Sequence, residues 1–249
     1  MKPTDAIVMA VGRTSDASLS GLTPNGCKSM INVNGRPSVS YVMENLKSCD
    51  QVSRIVLVSD KYTRDLAPEA DIFIEANDYT QESIISSIRE LDSSNRCLMM
   101  SGDMPIASCE SISDLLACAP DCDVVYPVVG KDDVKDAYPD REAFYMQAKE
   151  GKFTGSSCLL FQPEIALSKE DLLVNLLGAR KNPKALLGLV GPGVALKLMF
   201  GTPSLIDLEK WISDALSINC KVFLSYFPEL VMSIDSAKDI SLMEEDLCC

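Results

Sequence analysis

The strongest constraint on the fold is an alternation of short apolar segments with helix-like segments in the first half of the chain. Apolar segments typical of strands occupy residues 6–10, 54–59, 71–75, 97–101 and 123–128. Between them, residues 38–48, 80–92 and 109–118 have helical patterns, and Ser111 and Asp114 supply a capping box if the third helix begins late. Because such alternation builds parallel strands with crossover helices, this half predicts an α/β fold.

The second half of the chain predicts an antiparallel hairpin over residues 140–161 and a helical segment over residues 163–217. The local signals are a hairpin turn at Glu150 and Gly151, helix starts at Pro163, 168–171 and 204–207, a strand over 221–225, and a final helix from Ser236 to about Asp246. We therefore expect a Rossmann-like, mostly parallel mixed sheet flanked by helices, with a helical insertion, in one domain spanning residues 1–249.

Length, charge and composition exclude several classes of protein. The chain has 249 residues, of which 47% are hydrophobic, enough for one α/β domain with its own core. A net charge of −13 opposes binding to nucleic acid. No apolar segment is long enough to cross a bilayer and no secretory signal is visible, so we expect a cytoplasmic protein without a membrane partner. The ten cysteines lack a disulfide or zinc framework, which indicates reduced thiols.

The N-terminal strand leads into a loop that suits a bound polyphosphate. Residues 6–13 run from an apolar strand into Gly12 and Arg13, and residues 24–28 end in Lys28. Between residues 11 and 37 there are three cations and one acid, a local charge of +2 in an acidic chain. Backbone amides at a glycine loop, together with cations, are typical of phosphate sites. The pattern therefore points to an enzyme that acts on a nucleoside triphosphate.

Three motifs together resemble the nucleotidyltransferase (NTP-transferase) superfamily. The first is the strand and Ala-Gly-Gly-like loop that ends at Arg13, followed by Pro-x-x-x-Lys at residues 24–28 and Gly-x-Pro at residues 35–37. The second is Gly-Asp-Met-Pro at residues 102–105, and the third is residues 233–240, which are similar to Asp-x-Asp-Thr-Pro-x-Asp-Leu. The sequence is similar to the molybdenum cofactor guanylyltransferase and to sugar-phosphate or polyol-phosphate cytidylyltransferase branches.

The resemblance implies a fold of the nucleotide-diphospho-sugar transferase type and a reaction that couples an NTP to a small-molecule acceptor with release of pyrophosphate. Residues 1–130 would form the nucleotide-binding half, and residues 131–249 the acceptor half with a helical subdomain at 163–217. The resemblance implies that Asp103 and Asp235 bind Mg²⁺. It places Lys28 near the α-phosphate, Arg13 at the β- and γ-phosphates, and Ala10, Val11 and Gly12 in the nucleotide-binding loop. The implied catalytic residues are Lys28, Arg13 and Asp103.

Recognition of the base and of the acceptor is implied at two further places. Asn77 and Ser83 occupy the segment that contacts the base in relatives, although loop and helix-cap roles suit them equally. The candidate acceptor-binding residues are Lys152, Thr154 and Gly155, in a segment that resembles Phe-Thr-Gly-Gly-Asn. The chain contains no histidine. A phosphate monoester is anionic at neutral pH and needs no general base, so a phosphorylated acceptor is favoured.

Two departures from the family pattern keep other functions open. Val11 replaces a glycine of the loop, and Ser156 and Ser157 stand where the hairpin motif has Gly-Asn. A nucleotide-binding regulatory module without turnover is therefore one alternative. A nucleotide-sugar glycosyltransferase is another, although such enzymes place Asp-x-Asp after the metal-binding strand. The choice of base and the role of residues 163–217, as a lid or in a homodimer, stay open.

Overall fold

A computed structural model describes residues 3–11, 16–19, 21–77, 80–92, 95–172, 175, 188 and 201–248. The strands are β1 Thr4–Ala10, β2 Asn32–Val33, β3 Arg36–Pro37, β4 Val52–Ser59, β5 Ile72–Glu75, β6 Arg96–Ser101, β7 Val124–Gly130, β8 Met146–Ala148, β9 Gly151–Gly155, β10 Cys158–Phe161 and β11 Cys220–Ser225. The α-helices are α1 Ser38–Ser48, α2 Lys61–Arg64, α3 Gln81–Arg89, α4 Cys109–Cys118, α5 Lys131–Ala137, α6 Pro163–Ser168, α7 Leu205–Leu216 and α8 Ala237–Asp246. Short 3₁₀ helices span Ala17–Leu19, Pro24–Gly26, Lys28–Met30 and Pro228–Val231.

The main sheet confirms the predicted fold class, an α/β fold with a mostly parallel mixed sheet. Strands β5, β4, β1 and β6 lie side by side and pair in parallel. Strand β10 follows in antiparallel orientation and separates β6 from β7. Strand β11 pairs in parallel with β7. The carboxyl ends of β1, β4 and β6 therefore meet at one edge of the sheet, where α/β sheets bind ligands.

Strands β9 and β10 form one interrupted antiparallel strand along β7. Gly155 pairs with Val128 and Leu160 pairs with Val125, so the register slips by two residues between the strands. Ser156 and Ser157 occupy this slip, and the Ser157 carbonyl accepts a hydrogen bond from the Ser101 amide at 3.1 Å. The bulge thus connects the hairpin to the carboxyl end of β6.

The predicted elements of the first half are confirmed, with small differences at their ends. Helix α1 begins and ends where the sequence predicts, whereas α3 ends at Arg89, three residues earlier. Helix α4 begins at Cys109 and not later, so the condition for a capping box at Ser111 is not met: Ser108 caps α4, and its hydroxyl accepts a hydrogen bond from the Ser111 amide at 3.1 Å. Because Cys109 already belongs to the helix, Ser111 is at the third helical position, where its amide needs a partner.

In the second half, the predicted hairpin, late strand and final helix are all present. The hairpin turn consists of Lys149 and Glu150, because Gly151 already pairs with Ala148. Pro163 begins α6, and Ser204 caps α7 as predicted. The predicted cap at Ser168 is wrong.

Ser168 is the last residue of α6, and its hydroxyl donates to the Ile165 carbonyl at 2.8 Å. The remainder of the helical segment predicted over 163–217, namely residues 173–174, 176–187 and 189–200, lies outside the described residues. No helix within the described ranges has both the length and the apolar character that a membrane crossing requires.

The central strand β1 is buried on both faces and separates two apolar cores. Ala6, Val8 and Ala10 pack with residues of α1 and α4 on one face. Ile7 and Met9 pack with residues of α3 and α6 on the other face. A parallel strand covered by helices on both sides is expected to be apolar along its whole length, which explains the continuous run in β1.

A third apolar cluster joins the loop after β1 to the end of the chain. Leu19, Ile31 and Val33 pack against residues from the segment around α8, including Ile234 and Met243. All five side chains are almost completely buried. Burial of this kind stabilises a contact by roughly 1.5–3 kcal/mol for each large side chain. The cluster therefore holds two segments together that are about two hundred residues apart in the chain.

Glu229, in the 3₁₀ helix Pro228–Val231, gives the fold a pH-dependent contribution. Burial raises the pKa of the Glu229 carboxyl, although Ser108 donates a hydrogen bond to it at 2.9 Å. The folded state therefore binds the proton more tightly than the unfolded state, and stability falls as the pH rises through the folded pKa.

We predict that Glu229→Gln raises the urea midpoint at pH 7, because the amide avoids the buried charge and still accepts from Ser108. The gain should disappear below the unfolded pKa, near pH 4. Glu142→Gln, at an exposed position, is the matched control and should leave the midpoint unchanged. An equal or lower midpoint for Glu229→Gln at pH 7 would contradict the prediction.

Candidate active site

Asp103 lies at the carboxyl edge of the sheet because β6 ends two residues before it. The Gly102 amide donates to the Met9 carbonyl of β1 at 3.1 Å, and Ser38 donates to the Gly102 carbonyl at 3.0 Å. The Asp103 carbonyl in turn accepts from the Ile234 amide at 3.0 Å. The backbone on both sides of Asp103 is thus fixed to β1, to α1 and to residues 226–236 before α8, which we call the late segment.

Gly102 has a steric role in this arrangement. A Cβ atom at this position would lie 2.8 Å from Ser29 Oγ, 3.1 Å from Ser29 Cβ and 3.2 Å from Ala10 Cβ. These distances are shorter than ordinary van der Waals contacts, so only glycine allows the segment that carries Ser29 to approach β6 this closely. The neighbour of Ser29 in the chain is Lys28.

Lys28 opens the 3₁₀ helix Lys28–Met30 and is buried, with 7% of its surface exposed. Cys27, just before it, donates a hydrogen bond through Sγ to the Ala10 carbonyl at 3.0 Å and so ties the segment to the end of β1. The Lys28 ammonium lies 2.8 Å from Asp103 Oδ2 and 2.9 Å from Asp235 Oδ1. One cation therefore joins carboxylates that are 132 positions apart in the sequence.

The charge state of Lys28 follows from these neighbours. Burial acts to lower the pKa of the ammonium, but the charges and hydrogen bonds of Asp103 and Asp235 outweigh it, so the pKa lies above its usual value. Lys28 is a fixed positive charge at all physiological pH values. Such a group can neutralise a phosphoryl oxygen without transferring a proton.

The second oxygen of Asp235 has its own partners. Oδ2 accepts from Ser233 Oγ at 3.1 Å and lies 3.4 Å from Arg141 Nη2. Arg141 is 4% exposed and also forms an ion pair with Asp239, which is 3% exposed. Asp239 further accepts from the amides of Asp235 and Ser236 at 3.0 and 2.8 Å. Two cations and three carboxylates therefore form one connected network at the edge of the sheet.

Sequence reasoning missed the role of Arg141. The residue follows α5 and belongs to none of the three motifs, and no local pattern distinguishes it from the other arginines. Asp239 was contained in the third motif without an assigned role. Asp239 stands near the start of the predicted final helix, three residues after the predicted cap Ser236. This spacing could have identified Asp239 as a carboxylate that accepts hydrogen bonds at the start of the helix.

Ser156 and Ser157, which depart from the family pattern, bind the late segment. Ser156 Oγ donates to the Leu230 carbonyl, and Ser157 Oγ donates to Ser233 Oγ at 3.4 Å. Ser233 in turn contacts Asp235. The two serines thus support the segment that carries the second carboxylate.

The loop residues of the first motif are only partly described. Ala10 is completely buried at the end of β1, and Val11 is 3% exposed and packs in the core on the α3 side. Val11 is not among the residues with positive φ, so the replacement of glycine causes no backbone strain there. Gly12 and Arg13 lie outside the described residues.

The residues predicted to contact the base and the acceptor lie around the same edge. Asn77 is exposed just beyond β5. Ser83 is buried at the start of α3, where it exchanges hydrogen bonds with Thr80 in a capping box. Its role in base binding stays a prediction.

On β9, Lys152 is exposed and Thr154 is buried, and Phe153 pairs with Gly130 at the carboxyl end of β7. A Cβ atom on Gly155 would lie 2.1 Å from Tyr126 Oη, so packing against this ring accounts for the glycine. Contacts of these residues with an acceptor stay predictions.

The ligands that this site could offer to a metal ion are aspartate carboxylates. Within the described residues no three or more His, Cys, Asp or Glu side chains form a group disposed to hold a metal ion. The network instead offers carboxylates in pairs. Mg²⁺ is commonly held by one or two carboxylates, with substrate phosphates and water as the other ligands, and a pair of aspartates meets that requirement.

Comparison with known proteins identifies the family of the chain. Residues 6–187 match the family model described as the MobA-like NTP transferase domain. The match includes Lys28 and Asp103, while Asp235 lies beyond it. No curated protein shows a significant sequence match to this chain.

Several solved structures share the fold over almost the whole chain. A hypothetical transferase from Thermus thermophilus is 29% identical, with a TM-score of 0.82, and the alignment covers 96% of this chain and 100% of that chain. The 4-diphosphocytidyl-2C-methyl-D-erythritol synthase from Anaerococcus prevotii is 14% identical, with a TM-score of 0.60 and coverage of 100% and 97%. A CMP:2-keto-3-deoxy-manno-octonic acid synthetase complexed with CTP is 11% identical, with a TM-score of 0.61 and coverage of 99% and 98%.

We predict that Gly102→Ala destabilises the protein by about 1–3 kcal/mol, because the added methyl group forces Ser29 away from β6. Urea denaturation measures this loss. In the Ser29→Gly background, Gly102→Ala should cost less stability than it does in the wild type, since the contact with Ser29 Oγ is then absent. An unchanged midpoint for Gly102→Ala would show that the close approach is not required.

Proposed function

We propose that this chain, which belongs to the family of MobA-like NTP transferase domains, transfers the nucleotidyl group of an NTP to a phosphorylated small molecule at the site around Lys28. Membership of the family makes the chain a nucleotidyltransferase. The observation that carries the assignment of the site is the contact of one lysine with Asp103 and Asp235 at the carboxyl edge of the sheet.

In the proposed reaction, an oxygen of the acceptor phosphate attacks the α-phosphorus of the NTP. A new P–O bond forms, the bond from the α-phosphorus to the bridging oxygen breaks, and pyrophosphate leaves with the electron pair. Negative charge builds up on the α-phosphate oxygens and on the leaving group, so the site must supply positive charge at both. An anionic acceptor has no proton to lose, which suits a chain without histidine.

Lys28 would supply the charge at the α-phosphate. Its ammonium is permanently protonated, and its backbone is fixed by the contact of Cys27 with β1. The backbone amides of Val11 and Gly12, with the side chain of Arg13, would bind the β- and γ-phosphates, as the resemblance of the loop implies.

Asp103 and Asp235 are the residues that would hold Mg²⁺. Both carboxylates lie within hydrogen-bond distance of a single ammonium, so their hard oxygen donors face a common point. When bound, the ion would neutralise phosphate oxygens and keep the triphosphate in line for displacement. The protein's part is to hold both carboxylates at the same edge of the sheet as the glycine loop.

The acceptor side of the site would be formed by β9. Lys152 and Thr154 follow the turn of the hairpin next to the carboxyl end of β7. Two of the structural neighbours are named as a synthase of a diphosphocytidyl methylerythritol and as a synthetase of CMP with a keto-deoxy sugar acid, so both names contain a cytidine nucleotide. We therefore infer a small polyhydroxylated acceptor, and CTP is the first nucleotide to test.

We predict that Lys28→Ala and Asp103→Ala each lower kcat by at least about 100-fold, because the first removes the positive charge at the α-phosphate and the second removes a carboxylate that would hold Mg²⁺. Release of pyrophosphate measures turnover. Lys47→Ala and Asp50→Ala are matched controls, since both side chains are exposed at the opposite edge of the sheet, and they should keep normal rates. A normal rate in Lys28→Ala or Asp103→Ala would refute the role of that residue.

We further predict that one NTP with Mg²⁺ raises the melting temperature more than either component alone, because the phosphates and the two carboxylates would share the ion. Binding at one hundred times Kd stabilises the folded state by about 2.7 kcal/mol, a shift that thermal denaturation detects readily. A comparison of the shifts that the four NTPs produce identifies the base that the site prefers. A shift without pyrophosphate release from any acceptor would favour the regulatory module, and the absence of any shift would contradict the proposed function.

A further inference from the structure

Arg141 lies in an unusual position for an arginine. It is almost fully buried, with 4% of its surface exposed, in the segment between α5 and β8. Its amide donates to the Tyr138 carbonyl at 3.0 Å, and its carbonyl accepts from Lys135 Nζ at 2.6 Å. Hydrogen bonds to its amide and to its carbonyl therefore fix the backbone of Arg141. The guanidinium extends from this fixed backbone to the late segment.

The burial of Arg141 is costly for the fold. A buried guanidinium needs carboxylate partners and a hydrogen bond for each N–H group. Asp239 provides the buried partner, but Nε has no hydrogen-bond partner among the described residues. A well-packed apolar side chain would avoid this cost, so the contacts of the charged head need an explanation other than stability.

The contacts with Asp235 provide that explanation. Asp235 is near the surface, with 47% of its side chain exposed, so its carboxylate would rotate freely without neighbours. Oδ2 is held by Arg141 at 3.4 Å and by Ser233 at 3.1 Å. The carboxylate plane is thereby fixed with Oδ1 directed at Lys28, which also contacts Asp103.

We propose that Arg141 is a positioning residue that orients Asp235 so that Oδ1 faces the metal and nucleotide site. The inference rests on the proposed function, because it assumes that Asp235 binds the metal. Asp239 holds the other side of the guanidinium and, through its amide contacts, also fixes the start of α8. Arg141 itself touches neither nucleotide nor acceptor in this account. It acts through Asp235.

The test compares metal binding in wild type, Arg141→Lys and Ser233→Ala. Lysine keeps the charge but lacks the planar fork that reaches Asp235 and Asp239 together. Ser233→Ala removes the other partner of Oδ2 without removing a buried charge, so it is informative even if Arg141→Lys fails to fold. Binding of Mn²⁺ is measured by electron paramagnetic resonance in the presence of a non-hydrolysable NTP analogue, and binding of the analogue is measured separately without metal.

We expect Arg141→Lys to weaken Mn²⁺ binding by about 10- to 100-fold, as changes next to a metal ligand usually do, and Ser233→Ala to weaken it less. Binding of the analogue without metal should change less than about 3-fold, because both variants keep Lys28 and the residues after β1 that would bind the phosphates. In steady-state assays the Mg²⁺ concentration for half-maximal rate should rise in parallel. Unchanged Mn²⁺ binding in both variants would overturn the inference.

A double-mutant cycle with Asp235→Ala separates positioning from general structural support. If Arg141 acts through Asp235, Arg141→Lys should have no further effect on Mn²⁺ binding in the Asp235→Ala background. An effect that persists there would overturn the inference and leave the metal role of Asp235 intact. If Asp235→Ala itself leaves Mn²⁺ binding unchanged, the metal site of the proposed function is wrong instead.

Discussion

The ion pairs of Lys28 are the interaction on which the site depends. A single buried ammonium contacts a carboxylate that follows β6 and another that precedes α8. Two carboxylates this close to each other and to the protein interior would repel without a cation between them. Lysine therefore stabilises this arrangement of the two carboxylates, and we infer that the same charge serves the phosphate when a nucleotide binds.

The fold brings these groups together by two different means. The parallel pairing of β1 with β6 places Asp103 beside the carboxyl end of β1, at the edge where α/β sheets bind ligands. Asp235 depends instead on the third apolar cluster, in which Leu19 and Ile31 pack against Ile234 and Met243. The position of Asp235 in the site therefore depends on the contact between the loop after β1 and the end of the chain. The hydrogen bond that the Ile234 amide donates to the Asp103 carbonyl strengthens the attachment of this end of the chain.

The sequence predicted the elements and the motif residues better than their supporting contacts. Apolar runs and helical periodicity located most strands and helices of the first half, because local patterns decide them. Lys28, Asp103 and Asp235 were found through motifs, and the structure places them in contact. Arg141 was missed because only tertiary packing brings it to Asp235. The cap of α4 is Ser108, and the capping box that Ser111 and Asp114 would form in a later-starting helix is absent because α4 begins at Cys109.

The most direct test of the account is the location of the metal in crystals grown with Mn²⁺ and a non-hydrolysable NTP analogue. Anomalous diffraction identifies Mn²⁺ independently of the protein atoms. If Asp103 and Asp235 hold the metal, one strong peak will lie in contact with both carboxylates, with the triphosphate on the loop after β1 and Lys28 at the α-phosphate. A metal and nucleotide bound together at a place that touches neither aspartate would contradict this assignment.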